Sequence, residues 1–125
     1  MAAPNIVNVT SIFGKTVYDT LVATGQSATL TNAAGSNKVL KINTIIAANV
    51  DGTNDADITV FVSAASTSSA LFYLAYTITV PADSTLVVTS KDTSFYLEED
   101  RRIITFASAA SDISIMISYE EMDDA

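Results

Sequence analysis

Through most of this chain apolar residues recur at every second position, the spacing of a strand with one buried face. In residues 38–50, Leu40, Ile42, Thr44, Ile46 and Ala48 fall on one face and Lys41, Asn43 and Asn49 on the other. The pair Asp51-Gly52 that follows is a turn signal. Beyond it, Ile58, Val60 and Val62 alternate with Asp57, Thr59 and Ser63, so the pattern predicts an antiparallel hairpin of residues 38–50 and 57–63 turning at Asp51-Gly52. Ile113, Ile115, Ile117 and Tyr119 alternate as cleanly with Asp112, Ser114, Met116 and Ser118. Residues 71–80 depart from this pattern. Leu71, Tyr73 and Ala75 lie on one side and Phe72, Leu74, Tyr76, Ile78 and Val80 on the other, and Pro81 ends the run. A strand apolar on both faces is either central between two layers or covered by another subunit. Phe72, Leu74 and Tyr76 are therefore candidate interface residues.

The first third alternates less sharply. Residues 5–13 place Ile6, Asn8, Thr10 and Ile12 opposite Val7, Val9, Ser11 and Phe13, and residues 15–24 and 27–32 are two further strand candidates. Gly14, Gly25 and Gly35 read as punctuation. With segments at 84–90, 94–100 and 101–108, the count reaches eight to ten short strands, with turns every 8–12 residues or so. The fold class is all-β: a single antiparallel β-sandwich, jelly-roll-like, spanning residues 1–125 as one domain. No long helix is expected, and the Ala/Ser-rich segment 63–70 reads as a flexible loop. Residues 1–8 read as an N-terminal arm that orders on docking, and residues 120–125 as an acidic, solvated tail.

Composition narrows the function. The 125 residues include neither Cys nor His, which removes disulfides, Cys-based zinc sites and the commonest general base. The net charge is −8, and the only cations are Lys15, Lys38, Lys41, Lys91, Arg101 and Arg102. That balance argues against nucleic acid as a partner, because phosphate neutralisation needs a basic face. No apolar run approaches the ~18 residues of a membrane helix. The first residues lack the basic segment and apolar stretch of a signal peptide, which implies assembly in a cytoplasm.

Catalytic constellations are missing. A Ser nucleophile has no His to activate it, and no Ser-x-x-Lys spacing occurs. The four glycines are scattered at turns rather than clustered for phosphate. Glu98 and Glu99, read as strand neighbours, point to opposite faces and cannot act as a pair. The reading is of a protein that is not an enzyme and needs no cofactor. Asp51, Asp55 and Asp57 are weak calcium candidates: an EF-hand frame begun at Asp51 fails at its Gly and Glu positions, where Ala56 and Val62 stand. A polar turn with local side-chain-to-backbone bonds is the simpler account. In the charge cluster 97–103, Arg101 and Arg102 either form local ion pairs or meet carboxylates of a neighbouring subunit. A glycan platform would rely on exposed aromatics. There is no Trp, and Tyr18, Tyr73 and Tyr96 are the tyrosines that the strand patterns leave unplaced.

The opening "MAAPNIVNVTSIFGKT", the central "VDGTNDADITVFV", the segment "TVPADSTLVV" and the closing "YLEEDRRI…ISYEEM" run in an order that resembles small virion structural proteins of tailed bacteriophages, especially of cyanobacterial hosts. The resemblance implies an all-β subunit assembled on the particle and located in the virion. It implies no active-site residues. The expected role is a capsid decoration (cement) protein that stabilises the phage head. Its expected partners are itself, as a homo-oligomer and by preference a trimer, and the major capsid protein or other virion proteins. Two alternatives stand beside it: a neck, tail or fibre component, and a glycan- or host-surface-binding module displayed on the particle.

Overall fold

The computed structural model describes residues 9–67 and 69–123. The proposed arm at residues 1–8 lies outside the described residues. Nine strands are present among them: β1 (Ser11–Thr20), β2 (Ser27–Asn32), β3 (Lys38–Asn49), β4 (Ala56–Ala64), β5 (Ala70–Val80), β6 (Thr85–Thr89), β7 (Phe95–Leu97), β8 (Arg101–Ala107) and β9 (Ile113–Asp123). A single 3-10 turn, Lys91–Thr93, separates β6 from β7. One sheet runs β1-β9-β3-β6, with β7 also on β3, and the other runs β2-β8-β4-β5. All pairings are antiparallel.

The pairs nest in sequence. β4 joins β5, β3 joins β6, β2 joins β8 and β1 joins β9. The chain is thus one long hairpin whose tip lies at residues 64–70 and whose doubled arms alternate between two sheets. This is the winding of a jelly roll, and the all-β sandwich expected from the alternation is what forms. Between the sheets, Leu40, Ile42, Ile45 and Ala47 of β3 meet Ile58 and Val60 of β4, Ile103 of β8 and Ile113, Ile115 and Ile117 of β9 in one core.

Several local expectations change. Residues 49–56 do not close a hairpin, because β3 and β4 belong to different sheets. The segment is an arch crossing the sandwich. Asn49 holds it: its side-chain amide donates to the carbonyls of Val80 (2.9 Å) and Asn54 (3.0 Å), and its Oδ1 accepts from Asp51 N–H. Asn32, at the end of β2, does the same at another crossing, donating to the carbonyls of Lys38 and Leu97. The alternation of β3 breaks at Asn43, where a bulge puts one extra residue opposite β9. Beyond it Ile45 and Ala47 face the core, and Ile46 and Ala48 face outward. β1 passes through Gly14 without a break; it is an edge strand, and a Cβ at that position would meet open space. Glu98 and Glu99 lie in the turn after β7 rather than in a strand.

The segment 63–70 is the β4–β5 hairpin, with Ser63 paired to Ala70. The expected acidic tail is, as far as Asp123, the end of β9. Glu121 there is buried, and its carboxylate pairs with Lys15 (3.2 Å) and Lys38 (3.4 Å) from the two flanking strands. Those lysines compensate the charge, which would otherwise keep the segment in water.

Candidate interaction surface

β5 ends its sheet, so one of its edges has no strand beside it among the described residues. Among the described residues β5 is thus an edge strand and not a central one. Phe72 is 66% exposed and Tyr76 63%, and Leu71, Tyr73 and Ile78 are also exposed. Leu74 is half-buried and packs on the core.

The strand is kinked. Residues 76 and 77 both oppose Thr59, and Thr77 sits at φ 46°, a left-handed conformation costly for a β-branched residue. Its N–H donates to the buried Thr59 Oγ1 at 3.0 Å. The kink brings Tyr76 against Tyr73, with ring centroids 4.9 Å apart and nearly perpendicular. Tyr73 in turn packs on Phe61 (5.4 Å), which meets Phe106 edge-on (6.5 Å). Such edge-to-face contacts add about 0.5–1.5 kcal/mol each beyond burial. The outer side of this sheet therefore carries a rigid aromatic cluster, half of it open to solvent. Between β5 and the strands β6 and β7 a cleft of about 530 Å³ opens, lined by Val62, Leu71, Phe72, Tyr73, Leu74, Val88 and Phe95.

The two arginines lie at the hairpin end of this surface. Arg102 donates from Nε to Ser63 Oγ (3.3 Å) and from Nη2 to the Thr67 carbonyl (2.7 Å), bracing the β4–β5 hairpin. Arg101 donates to the Asp100 carbonyl, with its guanidinium 4.0 Å from the Asp100 carboxylate.

The three calcium candidates do not converge. Asp51 accepts from the backbone N–H groups of Thr53 and Asn54, which hold its carboxyl below the usual value. Asp55 accepts from Ala82 N–H, and Asp57 from Thr79 Oγ1. No group of three or more acidic residues among those described could hold a metal ion. Asp112 stands beside Asp51, and its carboxyl is pushed up, first by lost hydration and then by that neighbouring charge.

The alternation pattern missed a second surface. Across the outer face of the other sheet, Tyr18, Met116, Ile46 and Val87 stand in one row, each opposite the next. A groove of about 440 Å³ runs beside Tyr18, Ile46, Ala48 and Met116. Strict alternation puts Ile46 on the face of Leu40 and Ile42, and the bulge at Asn43 turns it outward. The three unplaced tyrosines, Tyr18, Tyr73 and Tyr96, are all on the surface.

No protein family and no curated protein sequence matches this chain. Solved structures share its fold, among them the following two. One is a chain of the disulfide-linked pili that form Bacillus endospore appendages; it is 15% identical, with 92% of this chain and 90% of that one covered and a TM-score of 0.51. The other comes from the acid-stable capsid of Helicobacter pylori bacteriophage KHP30; it is 8% identical, with 94% and 92% covered and a TM-score of 0.51. At these identities the likeness is one of fold. Among the described residues no helix is long and apolar enough to cross a membrane.

Proposed function

We propose that this chain is a non-enzymatic structural subunit of a phage virion, a capsid decoration protein that self-associates and reinforces the head shell. One observation carries the reading: β5 presents Leu71, Phe72, Tyr73, Tyr76 and Ile78 to solvent along a sheet edge. Monomeric proteins seldom leave so continuous an apolar strip uncovered. The fold shared with a capsid chain and a pilus chain supports an assembling subunit. So does the missing catalytic inventory, since assembly needs apolar area and no chemistry. The partners are further copies of the chain and the major shell protein, and the location is the virion, assembled in the host cytoplasm.

A neck, tail or fibre subunit is the second reading, favoured by the likeness to a pilus chain. The disulfide links of those pili are outside the reach of a sequence without cysteine. Copy number separates the two. Quantitative mass spectrometry of purified virions should give this chain in numbers comparable to the major shell protein. A few copies per particle would refute decoration and establish a neck, tail or fibre position. Binding on a glycan array that Tyr18→Ala or Tyr73→Ala abolishes would instead support a displayed glycan-binding module.

A further inference from the structure

We propose that β5 forms a two-fold contact with β5 of a second copy of this chain, the two strands running antiparallel with Ala75 near the axis. The inference rests on the assembling-subunit reading and supplies its contact.

The charge layout selects the second copy and its direction. On the four strands of this sheet the only charged side chains are Asp57, Arg101 and Arg102. Arg101 and Arg102 pair with Ala64 and Ser63 at the hairpin end, and Asp57 pairs with Thr79 at the other. About 23 Å of uncharged strand separates Asp57 from Ala64, at ~3.3 Å per residue. Two copies of net charge −8 repel through most of their surface. Along β5 itself no charged side chain adds to that repulsion, and an antiparallel approach turns Arg101 and Arg102 of each copy, with Asp100 beside Arg101, toward the end of the other copy that carries Asp57. A parallel approach would set like charge on like.

The area is sufficient for a dynamic dimer. Leu71, Phe72, Tyr73, Tyr76 and Ile78 are between 42% and 66% exposed. With side-chain areas near 200 Å² they offer about 550 Å² per copy, or about 1,100 Å² for the pair. That total is the upper bound reached when both faces of β5 are covered; it lies at the ~1,000 Å² threshold of a specific contact and in the range of reversible, micromolar association. The kink at Thr77 rules out one uninterrupted ladder between the two strands. Side chains therefore make the contact, with the aromatic cluster on one side and the cleft beneath Phe72 on the other.

The experiment is sedimentation equilibrium and native mass spectrometry of the purified chain, up to roughly 100 µM. A dimer is expected, in place of the trimer anticipated from sequence. Phe72→Asp should abolish it, and the milder Tyr76→Ala should raise its dissociation constant at least about tenfold. Asp57→Arg and Arg101→Asp should each weaken it, and the double variant should recover the wild-type value to within about threefold. Circular dichroism melts confirm that each variant folds. A monomer at the highest concentration, a trimer, a dimer indifferent to Phe72→Asp, or a charge-swapped double variant that fails to recover would each overturn the proposal. Because no particle is present, these results are independent of the copy number that tests the decoration role.

Discussion

Asn49 is the side chain on which the crossing from β3 to β4 depends, and its replacement by Ala gives a sharp test of the arch. The residue is buried and makes three hydrogen bonds. They are unequal. Those to the Asn54 carbonyl and from Asp51 N–H lie in the partly exposed loop, where water replaces them at a net cost of about 0.5 kcal/mol each. The bond to the Val80 carbonyl is buried. Removing its donor strands that carbonyl without water, at a cost of about 1–3 kcal/mol. The sum, about 2–4 kcal/mol, is dominated by the single buried bond. For a chain of this length it corresponds to a melting temperature lower by roughly 10 °C. Urea unfolding followed by circular dichroism would measure it. Asn49→Asp should be at least as damaging, because a carboxylate cannot donate to either carbonyl. A loss below about 1 kcal/mol for Asn49→Ala, with an unchanged slope in urea, would mean that water fills the site and that the arch does not need the amide.

Phe61→Ala should cost about 3–5 kcal/mol in the same assay, since it empties a fully buried site and removes the ring that supports Tyr73; a loss under 1 kcal/mol would dissolve the aromatic cluster as a structural unit. Glu121→Ala should cost about 1–2 kcal/mol, less than a fully buried pair because Lys15 and Lys38 are partly exposed and rehydrate; a stabilised variant would show that desolvation outweighs the pairing. Asp112 titrates above the ordinary 3.8 in the folded chain, so its contribution is complete at low pH and is lost as pH rises through the raised value. Asp51 titrates below 3.8, so its contribution is present above that value and lost as pH falls through the lowered one. Asp112→Asn should therefore raise the melting temperature relative to wild type at neutral pH and lose that advantage in acid; a difference that stays constant between about pH 3 and pH 7 would refute the coupling. Thr77→Gly should be neutral or stabilising by up to about 1 kcal/mol, because it relieves the left-handed conformation; a clear loss of stability would place the kink under the control of the Thr side chain.

What the sequence made legible was set by local alternation. β9 could be read directly, because Ile113, Ile115 and Ile117 keep strict period two and all face the core. β3 could be read as a strand but not in its second half, because nothing in "KINTII" announces the extra residue at Asn43 that exchanges the faces of Ile45 and Ile46. The Asp51-Gly52 signal gave a chain reversal correctly and its kind wrongly. Turn chemistry specifies the local backbone path, and whether the next strand joins the same sheet or the facing one depends on distant partners. Glu121 was misread for the same reason: a charge run looks solvated until Lys15 and Lys38 arrive from strands far away in sequence. The interface candidates were half legible. Two apolar faces on residues 71–80 follow from composition, but edge and central strands read alike. Only the order β2-β8-β4-β5 separates them.

That order also explains why β5 is kinked. A long apolar edge strand with a straight backbone is a template on which any other strand can grow, and growth of that kind has no natural end. β5 keeps the apolar side chains and spoils the template. Its pairing with β4 shifts register at three places, and Thr77 turns its peptide out of the extended line. The aromatic surface survives because side chains, not ladder bonds, compose it. In the proposed dimer, a contact built from Phe72, Tyr73 and Tyr76 closes when two copies meet, with the Arg101–Arg102 end of each copy turned toward Asp57 of the other. Straightening the strand should therefore shift assembly from closed to open. A variant that deletes Thr77, restoring one residue opposite Thr59, is expected to give larger, polydisperse species by light scattering at concentrations where the wild type is dimeric. If it remains a dimer of the same affinity, the kink has no part in limiting assembly, and its strain serves only to pack Tyr76 on Tyr73.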